Sequence, residues 1–106
     1  MGVLDLPNVL RFEWDKGNIG KNKKHKVENE EAEDAFYDTN RIVFTDVRHS
    51  TKLEKRYVLF GKTKQGEKLF IAFTMRGKRK EKVRIISART LNRKEREIYE
   101  KAISAA

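Results

Sequence analysis

Apolar and polar residues alternate from Val9 to Trp14, with Leu10, Phe12 and Trp14 on one side and Arg11 and Glu13 on the other. That period of two predicts a half-buried strand. Residues 1–8 ahead of it, which hold the only proline, Pro7, read as an irregular lead to a single domain over residues 9–103. Asp15 can cap a helix through "KGNIGKNKKHK", although Gly17 and Gly20 each weaken it by roughly 1 kcal/mol relative to Ala. Val27 to Tyr37 predicts a second helix: Ala32, Ala35 and Phe36 recur at helical spacing, and Glu28, Glu30 and Glu31 favour its positive N-terminal end.

The period then returns to two. Arg41–Val47, Arg56–Lys64, Lys68–Met75 and Lys82–Arg89 predict four strands, separated by "RHSTKLEK", "KQGEK" and "RGKRKEK". The short Gly-containing "KQGEK" is a hairpin signal, so the last three strands form an antiparallel meander. Asn92, with Glu95 three residues on, can cap a final helix whose apolar stripe is Leu91, Ile98, Tyr99, Ala102 and Ile103. The expected fold class is α+β: an antiparallel sheet of about four meander strands plus an N-terminal strand, packed by two N-terminal helices and one C-terminal helix.

Charge changes this picture. The 106 residues hold 25 Lys+Arg against 16 Asp+Glu, a formal net charge of +9, which favours polyanionic partners. Glu28 to Asp38 contains six acids and no base, whereas Arg76 to Arg84 contains six bases and one acid, so the folded chain should have a basic side. No cysteine is present for disulfides or thiolate metal sites, which fits a reducing cytoplasm. No apolar run approaches the roughly 20 residues of a membrane span, and Met1 to Pro7 lacks the apolar region of a signal peptide.

The usual catalytic signatures are missing. His25 and His49 stand 24 residues apart without a metal-binding motif, and no G-x-S-x-G, G-x-x-x-x-G-K or G-x-G-x-x-G occurs. Neither a metal nor another cofactor is expected. Basic groups with one or two titratable partners do suffice for one reaction class, cleavage of RNA by its own 2′-hydroxyl. There the protein positions a phosphate, moves protons and stabilises charge on the phosphorane oxygens. Arginine forks match phosphate oxygens and stay charged.

The candidates follow. In "VRIISAR", Arg84 shares strand parity with Ile86 and Ala88 while Arg89 shares it with Ile85 and Ser87, so an unbulged strand points the two arginines to opposite faces. Arg89, beside small Ser87, is the first choice for an open face and Arg84 its rival. In "DVRHS", His49 can exchange a proton near neutral pH and Arg48 lies next to it. Arg56 opens a strand, Arg79 lies in the most basic turn, and His25 ends "KNKKH". Trp14 and Phe12 could stack on bases, but their alternation favours the core. The bland alternative for each cation is a solvated surface charge.

Taken in order, "RFEWD", "NKKHKV" with "EEAEDAF", "DVRHS", "KRYVLFGKT" and "VRIISARTLNRKEREIYE" resemble the BrnT family of toxins from type II toxin-antitoxin modules, over about Arg11 to Glu100. The resemblance implies a RelE-like fold with a curved antiparallel sheet and a metal-independent endoribonuclease that inhibits translation. It also implies a BrnA-like ribbon-helix-helix antitoxin, through which alone operator DNA is bound. The family's basic and polar motif residues fall on His25, Arg48, His49, Arg56, Arg84, Ser87 and Arg89. Lys26 stands where the family usually has Gly, and Glu28 and Asn29 where Ser and an aromatic are common, which leaves the geometry of the first helix open. Two rival functions remain, a non-catalytic RNA- or DNA-binding module and a degenerate toxin kept as a protein-binding partner.

Overall fold

The structure, a computed structural model, describes Leu4, Leu6, Pro7 and residues 10–20 and 25–105. The elements run β1 (Arg11–Phe12), α1 (Asn29–Ala35), β2 (Ile42–Thr45), β3 (Arg56–Lys62), β4 (Lys68–Arg76), β5 (Lys82–Thr90) and α2 (Arg93–Ala105). They build one five-stranded sheet in the order β1-β5-β4-β3-β2. The predicted α+β class holds, but the sheet is mixed, because β1 pairs parallel with β5 while the other pairs are antiparallel.

The helix expected from Asp15 does not form over the described part of its span: residues 16–20 make turns, and residues 21–24 lie outside the described residues. The chain's own polar groups explain this. Asp15 Oδ1 accepts from the Gly17 N–H at 2.8 Å, and the buried Asn18 side chain donates to the carbonyls of Glu13 and Ile85 at 2.9 Å each. These bonds turn the backbone back to the sheet instead of into a helix. Two helices, not three, stand among the described residues.

Helix α1 begins where the acids predict. Glu28 is its N-cap and its N–H donates to Glu31 Oε1 at 3.0 Å, with Glu30 and Glu31 in the first turn. Just ahead of it Lys26 has φ 59°, a left-handed conformation that suits the Gly expected from the resemblance better than it suits lysine. Val27, Ala32, Ala35 and Phe36 pack on Leu59, Leu69, Ile71, Phe73, Val83, Ile85 and Ala88 to make the larger core. Phe36 meets both Phe12 and Phe73 edge to face, at 5.3 and 5.0 Å between ring centres. Phe12 and Trp14 belong to this core, as their alternation predicts; the Trp14 indole N–H donates to Glu33 at 2.6 Å.

The second helix packs on the other side. Asn92 and Glu95 form the predicted capping box, with bonds of 2.8 and 2.9 Å between each side chain and the other's N–H. Of the predicted apolar stripe only Leu91 and Tyr99 are buried, with Val58, Phe60, Ile42 and Phe70, while Ile98, Ala102 and Ile103 are exposed. The short helix crosses the sheet at one place and leaves the rest of its stripe without a surface. Tyr99 anchors it: its ring is fully buried and its hydroxyl donates to Asp38, which also accepts the Lys62 N–H at 2.8 Å. Burial first, and then the Asp38 carboxylate, push the Tyr99 hydroxyl above its ordinary pKa.

Two substitutions test this packing. A Cβ on Gly61 of β3 would lie 2.4 Å from the Ala35 carbonyl oxygen, a backbone atom that cannot rotate away. Gly61→Ala should therefore lower stability by about 1–3 kcal/mol in urea unfolding. Tyr99→Phe keeps the ring and removes only the bond to Asp38. It should cost about 1–2 kcal/mol and raise amide exchange selectively in α2.

Candidate functional site

An extra residue in β5 decides which side chains share a face. Phe73 pairs with Ile85 but Ala72 pairs with Ser87, so Ile86 is left out of the ladder as a β-bulge. The side-chain parity of β5 reverses there. Arg84 opposite Thr74, Ser87 opposite Ala72 and Arg89 opposite Phe70 consequently all point to the face away from α1. The expectation that Arg84 and Arg89 lie on opposite faces is corrected by this bulge.

Cross-strand register carries the face outward. Thr74 pairs with Arg56 and Ala72 with Val58, and Val58 with Phe44. Arg56 and Arg84 therefore flank Thr74 with about 10 Å between their backbones, two strand spacings. Arg76 extends the same parity beyond Thr74 and pairs with Lys82. Between the charges the surface is low, because Ala72 and Ser87 are small and only half-buried. Helix α2 covers the Phe60 and Phe70 end of this face. The two helices thus sit on opposite sides of the sheet.

Each arginine is held by an acid. Arg84 donates to Glu13 Oε1 and to both Asp15 oxygens at 2.9 Å, ties the turn after β1 to the sheet, and is largely buried. Gly17 leaves room beside it, since a Cβ there would sit 2.7 Å from the guanidinium and displace it. Arg89 grips Glu95 with bonds of 2.8 and 2.9 Å while its guanidinium lies 4.0 Å from the centre of the Phe70 ring. Arg56 and Arg76 share one carboxylate, Glu54, at 3.8 and 3.3 Å, so each has donors to spare.

The loop between β2 and β3 adds His49 and Arg48, both exposed, at the Arg56 end of the face. Ser50 Oγ bridges the two ends of this loop, donating to the Asp46 carbonyl at 2.6 Å and accepting the Arg56 N–H at 2.9 Å. His49 Nδ1 lies 2.8 Å from Asp46 Oδ2. If Nδ1 carries the proton, the carboxylate fixes the ring and leaves Nε2 outward. Two candidates fall elsewhere. Arg79 is exposed in the β4–β5 turn, and His25 is exposed two residues before Val27 of the α1-side core. Arg76 and Glu54 were missed, although Arg76 shares the parity of Phe70, Ala72 and Thr74 and could have been found from it. Among the described residues no three His, Cys, Asp or Glu side chains gather to hold a metal ion, and no helix is long and apolar enough to cross a membrane.

The ion pairs should make the fold acid-sensitive. The Arg84 hydrogen bonds hold the Asp15 carboxyl below its usual range, with the Gly17 N–H adding to this and Arg76 contributing a smaller pull. The Arg89 hydrogen bonds do the same to Glu95. Depressed folded values mean that this stability is present above the ordinary carboxylate range and is lost as pH falls through the folded values, from about pH 4 downward. Glu95→Gln keeps an oxygen for the Asn92 N–H but loses the paired carboxylate that holds Arg89. It should cost about 1 kcal/mol at pH 7 and should flatten the acid side of the urea midpoint against pH.

No curated protein matches the chain. A family model described as "Ribonuclease toxin, BrnT, of type II toxin-antitoxin system" matches residues 14–95, well over half of the sequence and all of the face just described. By that match the chain belongs to the BrnT family of ribonuclease toxins of type II toxin-antitoxin systems.

Proposed function

We propose that the chain is a metal-independent endoribonuclease that cleaves RNA through the substrate's own 2′-hydroxyl and so inhibits translation in the cytoplasm, until a BrnA-like ribbon-helix-helix antitoxin binds it. One observation carries this reading: the bulge at Ile86 collects Arg84, Ser87 and Arg89 on the face that also holds Arg56 and Arg76. Arg56 and Arg76, sharing a single carboxylate, take the scissile phosphate, and Arg48 and Ser87 contact the chain on either side. Arg84 and Arg89 stabilise charge as the phosphorane forms. His49, set by Asp46, exchanges the proton with the 2′-hydroxyl or the leaving 5′-oxygen. Arg79, in the turn just past Arg76, meets RNA at that end of the face, and His25, beside the α1-side core, at most meets RNA beyond the cut. Operator DNA is reached only through the antitoxin.

The resident carboxylates do not bar this chemistry. A phosphate replaces one acid partner by another, so the arginines arrive in nearly the geometry the substrate needs.

The test is cleavage of a short RNA by the purified chain in EDTA. Cleavage should persist, stop when the scissile nucleotide is 2′-deoxy, and fall by about 10- to 1,000-fold in Arg56→Ala and Arg76→Ala at unchanged fold. RNA binding that weakens with salt but yields no cut would instead establish a binding module. Neither binding nor cutting would leave the degenerate toxin.

A further inference from the structure

Strand β2 is the outer strand on its side of the sheet, and shortness is the one device that guards its free edge. Ile42–Thr45 carries no charge and no proline, and its pairing with β3 runs without a bulge.

The register shows what the edge offers. The Asp46 N–H donates to the Arg56 carbonyl at 2.8 Å, and antiparallel alternation then makes Phe44–Val58 and Ile42–Phe60 the hydrogen-bonded pairs. Val43 and Thr45 accordingly turn their backbone N–H and C=O groups away from β3. Among the described residues the two most exposed large apolar side chains, Val47 at 78% and Leu53 at 94%, lie in the loop that follows β2, and Phe44 of β2 is itself 38% exposed. Across residues 41–55 Arg41, Arg48, Lys52 and Lys55 outnumber Asp46 and Glu54, in a chain of net charge +9.

That charge selects the occupant. A second copy paired along β2 would bring this positively charged stretch against its own like charge. An acidic segment meets the complementary sign. We propose that an extended, acidic segment of the antitoxin adds a strand to β2 and covers Val47 and Leu53 with its own apolar side chains. This rests on the antitoxin partnership and not on the nuclease mechanism. The added strand would lie beside Arg48 and His49, so docking would also crowd the proposed site.

Hydrogen exchange on the complex co-purified with the antitoxin of the same module tests it. The Val43 and Thr45 amides should slow at least tenfold on antitoxin binding. Val43→Pro, which removes an outward N–H, should weaken antitoxin binding at least tenfold while leaving RNA cleavage within about twofold; if that variant misfolds, the exchange result decides alone. Unchanged exchange at both amides in an intact complex overturns the proposal. So does the same protection produced by raising the concentration of the isolated toxin, or by RNA. Protection at the edge in a toxin that cuts no RNA upholds the docking strand and defeats the nuclease reading.

Discussion

The single unpaired residue Ile86 sets the chemistry of the whole sheet. Strand side chains alternate strictly, so one inserted residue exchanges the faces of everything after it. Before the bulge, Val83 and Ile85 feed the α1-side core; after it, Ala88 continues that core, and Ser87 and Arg89 join Arg84 on the far face. A regular β5 would have turned Ser87 and Arg89 into the α1-side core with Val83 and Ile85 and moved Ala88 out to the far face. The bulge therefore satisfies the apolar core and assembles the cationic face together.

Charge is divided by the same sheet. The acids of α1 stand over the larger core on one side, and the arginines of β3, β4 and β5 lie on the other. The four arginines are braced by carboxylates from three segments: Glu13 and Asp15 after β1 hold Arg84, Glu54 before β3 holds both Arg56 and Arg76, and Glu95 in α2 holds Arg89. These contacts fix long side chains that would otherwise lose rotamer entropy on meeting a phosphate. They also tie the peripheral segments to the sheet, so the site and the fold share their stabilising interactions.

Much of this was legible in the sequence. The strands at β3, β4 and β5, the hairpin turn, the Asn92–Glu95 cap and the core role of Phe12 and Trp14 follow from period, turn chemistry and capping, which are local properties. Three features were not. The helix expected after Asp15 lost to Asn18 and Asp15 side-chain bonds that reach the distant Ile85 carbonyl as well as local backbone. The bulge depends on register against β4, which β5 alone does not encode. Arg76 was hidden because a basic turn drew attention to Arg79, although its parity with Phe70, Ala72 and Thr74 places it on the arginine face. The parallel pairing of β1 was similarly silent, since two residues carry no sign of their partner's direction.

The central claim is that one face of the sheet, assembled by the bulge, receives the RNA backbone. Binding of a non-cleavable 2′-deoxy-substituted RNA, followed through the arginine guanidinium resonances of labelled protein, tests it most directly. The signals of Arg56, Arg76, Arg84 and Arg89 should shift together in one saturable transition, with the α1 side unmoved. Shifts confined to Arg79, to His25 or to the α1 side, with those four arginines unchanged, would contradict the account.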